Sequence, residues 1–92
     1  MKLKENYIGF VGLGSMGSVM VSLLSKEKFN LIAYDINTEI ELDSDITCAK
    51  DLRELVNCSI LILILPNGSI VKETVLQLVE YGFKGQVIDM SS

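Results

Sequence analysis

Hydrophobic residues along the chain alternate between short continuous runs and stretches with helical spacing. Apolar positions recur every three or four residues over 16–24 and over 71–79, which predicts two longer helices. Residues 37–42 have room for little more than one helical turn, and Asp51 with Glu54 has the spacing of a capping box that opens a further helix. The continuous runs predict five strands, at residues 7–11, 31–34, 46–49, 60–65 and 86–90.

Burial is predicted from the same pattern. The run at 60–65 is aliphatic without alternation, which indicates a strand covered on both faces, as in the middle of a parallel sheet. Gly82 is the predicted C-terminal cap of the second long helix. In the first long helix, one apolar face is predicted to contain Met16, Val19, Met20, Leu23 and Leu24. The second is predicted to share one among Val71, Val75, Leu78 and Val79.

Strands and helices alternate with short links, and no linker or repeat interrupts them. This order predicts an α/β fold, an open parallel sheet built by right-handed βαβ crossovers with helices on both faces. We expect five strands in the order 3-2-1-4-5. Residues 1–92 are expected to form one domain, since a domain usually has about 100–200 residues.

Composition narrows the chemistry. Twelve acidic and eight basic residues give a net charge of −4, which argues against a nucleic-acid surface. Histidine is absent, so the commonest metal ligand and general base are missing, and we expect no metal site. Cys48 and Cys58 are not spaced as a metal or redox pair and are expected to be buried free thiols. The sequence shows no signal peptide, and its longest apolar run, 60–66, is far below the ~20 residues of a membrane helix, so we expect a cytoplasmic chain without membrane contact.

Residues 12–17, Gly-Leu-Gly-Ser-Met-Gly, carry the most informative motif. A G-x-G-x-x-G that follows a strand, opens a helix and precedes an acidic residue at the next strand end indicates a dinucleotide site. In such a site Gly12 permits the sharp turn, Gly14 lets the backbone approach a pyrophosphate, and Gly17 packs the helix on the sheet. The alternative is a turn that needs glycine for packing alone. The backbone amides predicted to point at the phosphates are those of Ser15, Met16 and Gly17.

Asp35 closes the second predicted strand. Its carboxylate can accept hydrogen bonds from the adenosine ribose, whereas a 2′-phosphate would bring negative charge against it. Glu39, Glu41 and Asp43 add negative charge nearby, and no Lys or Arg lies between Asp35 and Ala49. The sequence therefore favours NAD over NADP as the cofactor. The alternative is that Asp35 serves only as a helix cap or turn residue.

Two more segments fall at carboxyl ends of predicted strands, where ligands of open α/β sheets bind. Leu65 and Pro66 are predicted to form an apolar wall for the cofactor, the alternative being a proline that only ends a strand. Residues 89–92 end the fifth strand, and the hydroxyls of Ser91 and Ser92 are predicted to reach the same crevice.

Three blocks, residues 8–20, 60–66 and 88–92, resemble the β-hydroxyacid dehydrogenases, which include the 3-hydroxyisobutyrate dehydrogenases and are related to the 6-phosphogluconate dehydrogenases. The first block contains Gly-Leu-Gly-x-Met-Gly-x-x-Met, which is more specific than the generic glycine motif. The resemblance implies an N-terminal, Rossmann-type NAD(P)-binding domain. It places Ile36 where NADP-preferring relatives often carry arginine, and Ser92 near the nicotinamide ribose. The implied cofactor-binding residues are Gly12, Leu13, Gly14, Ser15, Met16, Gly17, Asp35, Ile36, Leu65, Pro66 and Ser92.

In that family, the substrate loop and the catalytic lysine come after the segment that matches Ser92, and Lys72 and Lys84 have no family match. The resemblance therefore implies the cofactor-binding domain of an oxidoreductase that acts on the CH–OH group of a small 3-hydroxy acid. We expect this chain alone to bind NAD without turnover, because it lacks the catalytic region and the substrate domain. The alternatives are a non-catalytic NAD-sensing or assembly module and, less favoured, an FAD site. The fifth strand is expected to form an unpaired edge that promotes homo-oligomers.

Overall fold

The computed structural model describes residues 4–27, 29–36, 42 and 46–91, without the side chains of residues 4–6, 15 and 16. A single turn of 3-10 helix, Leu52–Leu55, precedes the fourth strand. Most of the predicted turn at 37–42 lies outside the described residues. The other elements are β1 (Lys4–Val11), α1 (Gly14–Lys26), β2 (Asn30–Tyr34), β3 (Thr47–Cys48), β4 (Cys58–Leu63), α2 (Gly68–Glu80) and β5 (Gln86–Asp89).

The five strands form one parallel sheet in the order β3-β2-β1-β4-β5, which confirms the predicted fold class and strand order. Val11 at the end of β1 is in register with Tyr34 of β2 on one side and with Leu63 of β4 on the other. The chain therefore leaves these three central strands at the same level. The residues that follow lie side by side at this edge of the sheet: Gly12, Asp35 and Ile64.

Each face of the sheet has its own apolar core, so helices cover both faces as predicted. Leu61 and Leu63 of β4 point into one core and Ile62 into the other, which confirms burial of this strand on both faces. The core under α2 and the 3-10 helix contains Val11, Ile32, Leu55, Cys58, Leu61, Leu63, Leu78 and Phe83. The core under α1 contains Phe10, Leu13, Val21, Leu31, Ala33, Ile46 and Ile62.

The predicted faces of the two helices were partly wrong. Val19 and Leu23 of α1 are 59% and 57% exposed, and Val79 of α2 is 59% exposed, whereas Val21 is fully buried. The cause in α1 is Gly17, which is buried and lets the helix backbone approach the sheet along the line that leads to Val21. As a result Val19 and Leu23 face solvent, whereas Met20 and Leu24 of the predicted face still pack against the core under α1.

Other local predictions differ in extent. β4 ends at Leu63 rather than at residue 65, and β3 spans two residues instead of four. The predicted capping box is present, because Asp51 accepts a hydrogen bond from the Arg53 amide (2.9 Å) and Glu54 accepts one from the Asp51 amide (3.0 Å). The helix that it opens is a single 3-10 turn. Both cysteines are free thiols as expected, but only one is buried, since Cys48 is exposed and Cys58 is buried.

Gly82 ends α2 as predicted. Its φ of 100° is left-handed, and its amide donates to the Val79 carbonyl (3.0 Å). The next amide, of Phe83, donates to the Leu78 carbonyl (2.9 Å), and both side chains lie in the same core. This is the Schellman pattern, which satisfies the last carbonyls of a helix and turns the chain back toward the sheet. Neither helix of the described residues has the length and apolar character to cross a bilayer.

Candidate functional site

A sharp turn joins β1 to α1. Gly12 and Gly14 have φ of 81° and 56°, in the left-handed region that favours glycine. The Gly12 amide donates to the Tyr34 carbonyl (2.8 Å), which extends the ladder of the sheet by one bond. A Cβ at Gly12 would collide with the carbonyl oxygen of Ile64 and lie 2.8 Å from a methyl carbon of Leu65. A Cβ at Gly14 would meet nothing within 4 Å, so packing requires the first glycine and the second faces open space.

The amides at the start of α1 differ from the prediction at one position. The Gly17 amide donates to the Leu13 carbonyl (2.7 Å), as the first bond of the helix ladder. The prediction that it points at a ligand was therefore wrong, because the helix begins at Gly14 and consumes that donor. The amides of Gly14, Ser15 and Met16 precede this first bond, and so they are the donors that the helix leaves to other acceptors.

Gly17 has the packing role that the motif predicts. A Cβ at this position would lie 3.3 Å from the Gly12 carbonyl oxygen and 3.3 Å from the δ-methyl of Ile64. Those distances are shorter than ordinary van der Waals contacts, so a side chain here would push α1 away from the turn. Gly17 therefore keeps the start of the helix close to the ends of β1 and β4.

The two helices begin differently. Asn67 caps α2 by accepting a hydrogen bond from the Ile70 amide (3.0 Å). The residue at the corresponding position of α1 is Leu13, which makes no side-chain capping bond, and the first turn of α1 has no acidic residue. The helix dipole places partial positive charge at this end. An uncapped helix start of this kind is suited to an anion such as a phosphate.

Asp35 lies against the glycine turn. Its Oδ2 accepts a hydrogen bond from the Leu13 amide (2.7 Å), although 22 residues separate the two in sequence. The carboxylate therefore borders the uncapped start of α1, as the motif predicts. A carboxylate offers about four acceptor positions, so the bond to Leu13 uses only part of its capacity. Ile36, the next residue, is 89% exposed.

A cleft of about 620 Å³ opens over this edge of the sheet. Its size falls within the ~300–1,000 Å³ that small-molecule sites occupy. It brings together seven of the predicted cofactor-binding residues: Gly12, Leu13, Gly14, Asp35, Ile36, Leu65 and Pro66. The side chains of Ser15 and Met16, and all of Ser92, lie outside the described residues.

One wall of the cleft was missed by sequence reasoning. It is formed by Ile70, Glu73, Thr74 and Gln77 of α2, with Leu52 of the 3-10 helix beside it. Positions 70, 74 and 77 have helical spacing and lie on one side of α2. That spacing is a signal in the sequence, but it becomes meaningful only once the helix is known to border the glycine turn.

Ser91 supports the segment of the cleft that contains Leu65. Its Oγ accepts a hydrogen bond from the Leu65 amide (2.7 Å) and donates one to the Leu63 carbonyl (3.4 Å). Its own amide donates to Oδ1 of Asp89 (2.9 Å). Ser91 is absent from the lining of the cleft, so the hydroxyl holds the chain that carries the apolar wall rather than forming part of that wall.

The site contains no cluster suited to a metal. Within the described ranges, no three His, Cys, Asp or Glu side chains come together as a metal-binding group. Its recognisable elements are instead backbone donors, the Asp35 carboxylate beside them and an apolar wall at Leu65 and Pro66. That combination matches the requirements of a dinucleotide, which has a diphosphate, two sugars and flat rings.

Comparison with solved structures gives the same fold. The chain superposes on a 3-hydroxyisobutyrate dehydrogenase of Mycobacterium tuberculosis, solved with L-serine, with a TM-score of 0.81 and 21% identity over 95% of this chain and 32% of that one. A D-lactate dehydrogenase of Lactobacillus jensenii, solved with NAD⁺, matches with a TM-score of 0.69 and 21% identity over 94% of this chain and 27% of that one. A glycerate dehydrogenase related protein of Thermoplasma acidophilum matches with a TM-score of 0.70 and 16% identity, over 97% and 32% of the respective chains.

The TM-scores show a shared fold, and at these low identities they show nothing further. The chain spans about a third of the length of the solved proteins. The family assignment comes from sequence. Residues 7–92 match the family model described as the NAD binding domain of 6-phosphogluconate dehydrogenase. That match covers nearly the whole chain and includes the glycine turn, Asp35 and the apolar wall. The chain therefore belongs to the family of the 6-phosphogluconate dehydrogenase NAD binding domain and is a dinucleotide-binding domain.

Proposed function

We propose that this chain binds NAD in the cleft at the carboxyl edge of its sheet. The diphosphate is received by the amides at the start of α1, and Asp35 accepts hydrogen bonds from the adenosine ribose. The observation that carries the proposal is the open space over Gly14, bordered by an uncapped helix start and by the Asp35 carboxylate. Leu65 and Pro66 supply the apolar wall.

The preference for NAD over NADP rests on charge. A 2′-phosphate would need a cation near Asp35, and none of the described residues that line the cleft is basic. Instead, the lining contains a second carboxylate, Glu73, and the rim residue beside Asp35 is the exposed Ile36. A phosphate placed there would meet like charge without a compensating partner.

We also propose that this domain serves an oxidoreductase that acts on the CH–OH group of a small 3-hydroxy acid. Hydride would pass between the nicotinamide and the carbinol carbon, and the domain would hold the cofactor in place for that transfer. The resemblance places the catalytic lysine beyond the segment that matches Ser92. We therefore propose that residues 1–92 hold the cofactor and that the catalytic lysine is not among them. A cytoplasmic location stays a prediction from the sequence.

A second candidate is a non-catalytic NAD-sensing or assembly module. The observation that favours it is the exposure of three apolar side chains on and after the edge strand β5: Val87, Ile88 and Met90. Such an edge can pair with another chain. This candidate predicts that NAD changes the molar mass measured by light scattering, whereas a plain cofactor domain keeps the same mass with and without NAD.

Parallel fluorescence titrations with NADH and NADPH test the proposal. We expect saturable NADH binding that is at least about tenfold tighter than NADPH binding, which corresponds to ~1.4 kcal/mol. Glu80→Gln is the matched control, because Glu80 is an exposed acid at the end of α2 that does not line the cleft. This variant should titrate like the wild type. Absence of saturable binding, or equal affinity for both dinucleotides, contradicts the proposal, and turnover of a 3-hydroxy acid by the chain contradicts its last part.

A further inference from the structure

We propose that Asp35 is a positioning residue for the diphosphate-binding turn, in addition to its role toward the sugar; this inference rests on the proposed function. The bond from the Leu13 amide to Oδ2 of Asp35 (2.7 Å) fixes the turn in the shape that receives phosphate. Loss of this bond should weaken binding even of ligands whose sugar cannot reach Asp35.

The acceptor of the Leu13 amide lies outside the turn, on Asp35. Leu13 stands between two left-handed glycines, which have more backbone freedom than any other residue. Its side chain is 2% exposed and packs in the core under α1, but it has no polar atom with which to cap the helix. The side chain therefore fixes one end of Leu13, and the bond to Asp35 fixes the backbone.

Hydrogen bonds fix both backbone polar groups of Leu13. Its amide donates to Asp35, and its carbonyl accepts the first helical bond, from Gly17 (2.7 Å). The Gly14 amide belongs to the same planar peptide unit as the Leu13 carbonyl, so its direction is determined once that carbonyl is fixed. This is the first of the donors that the proposed function assigns to the diphosphate. Asp35 thus acts on the phosphate site through Leu13, without contact to the phosphate.

Two substitutions separate this role from charge. Asp35→Ala and Asp35→Asn both remove the negative charge, which would otherwise repel a diphosphate. Asparagine keeps a carbonyl oxygen that can accept from the Leu13 amide, whereas alanine keeps no acceptor. If the two variants differ in affinity for a ligand without sugar hydroxyls, the difference therefore measures the effect of the hydrogen bond to the turn.

The binding experiment uses ADP and 2′,3′-dideoxy-ADP, whose ribose lacks both hydroxyls. Toward dideoxy-ADP we expect Asp35→Ala to bind about tenfold more weakly than Asp35→Asn, because alanine leaves the partly buried Leu13 amide without an acceptor and lets the turn relax. Toward ADP, both variants should lose affinity relative to the wild type. Glu80→Gln again serves as the control for loss of a carboxylate elsewhere. Equal affinity of the two Asp35 variants for dideoxy-ADP overturns the proposal.

Amide hydrogen exchange measured by NMR tests the bond without any ligand. In the wild type we expect the Leu13 amide to exchange at least about tenfold more slowly than the Gly14 amide, since the Leu13 amide donates to Asp35 and the Gly14 amide is left for a ligand. Asp35→Ala should abolish this difference and Asp35→Asn should keep it. The Phe83 amide, bonded to Leu78 at the end of α2, reports whether each variant keeps its global fold.

The outcomes distinguish the two proposals. A wild-type chain that binds neither NADH nor ADP overturns the proposed function, and with it the ligand role of Asp35. A wild-type chain that binds both, combined with equal dideoxy-ADP affinities or an unprotected Leu13 amide, overturns the positioning role alone.

Discussion

Substitution of the two left-handed glycines of the turn by alanine should affect stability and binding differently. Gly12→Ala places a Cβ against the carbonyl oxygen of Ile64 and 2.8 Å from the Leu65 methyl. Hydrogen bonds of the backbone oppose movement of Ile64 and of Leu65 away from this Cβ. The Ile64 amide is bonded to the Val11 carbonyl (2.9 Å), and the Leu65 amide is bonded to Ser91 (2.7 Å). Left-handed strain of ~1–2 kcal/mol and overpacking of ~1–3 kcal/mol should together lower the free energy of unfolding by about 2–5 kcal/mol.

Gly14→Ala is the matched control, because it carries the same strain without the collision. Nothing lies within 4 Å of its Cβ, so the expected loss of stability is only about 1–2 kcal/mol. Its Cβ instead enters the space that the proposed function assigns to the diphosphate. NADH affinity should therefore fall by at least about tenfold in this variant, or ~1.4 kcal/mol.

Urea unfolding and NADH titration of both variants decide the matter. A difference of about 1 kcal/mol moves the urea midpoint by ~0.3–1 M at the slopes typical of small domains. Gly12→Ala should have the lower midpoint by at least this amount. The reasoning fails for the turn if both variants unfold at the same urea concentration. It fails for the ligand if Gly14→Ala binds NADH as the wild type does.

Three further predictions concern the surroundings of the site. Ser91→Ala removes the acceptor of the Leu65 amide and should lower unfolding free energy by ~1 kcal/mol and weaken NADH binding, while Ser69→Ala, on the exposed start of α2, should change neither. Asp51→Ala removes the capping box and should lower the free energy of unfolding, measured by thermal denaturation, by ~1 kcal/mol. An unchanged stability would refute the role of this cap. The wild type should self-associate through β5, and Ile88→Lys should lower the molar mass that light scattering measures. A wild type that stays monomeric at high concentration contradicts this prediction.

Several features follow from local pattern in the sequence. The alternation of aliphatic runs and helical spacing, with the fixed hand of parallel crossovers, led to the observed strand order. The glycine motif and Asp35 were assigned to one site because carboxyl ends of neighbouring parallel strands meet at one edge. Short-range signals also predicted the ends of helices correctly, at Gly82 and at the Asp51 capping box, since each depends on a few adjacent residues.

Other features depend on which elements come together in space. Periodicity showed that α1 has an apolar stripe, but the close approach at Gly17 rotates Val21 inward and leaves Val19 exposed. The α2 wall of the cleft and the support from Ser91 likewise arise between segments that are distant in sequence.

For this protein, the sequence by itself determined the elements, their order and the chemical type of the site, because these rest on local periodicity and on a motif of adjacent residues. Only the tertiary structure decided which donors remain for a ligand and what holds them in place. The Gly17 amide is consumed by the helix and the Leu13 amide by Asp35, 22 residues away. Such bonds depend on the register between strands and on the depth at which a helix packs, and no local pattern specifies either.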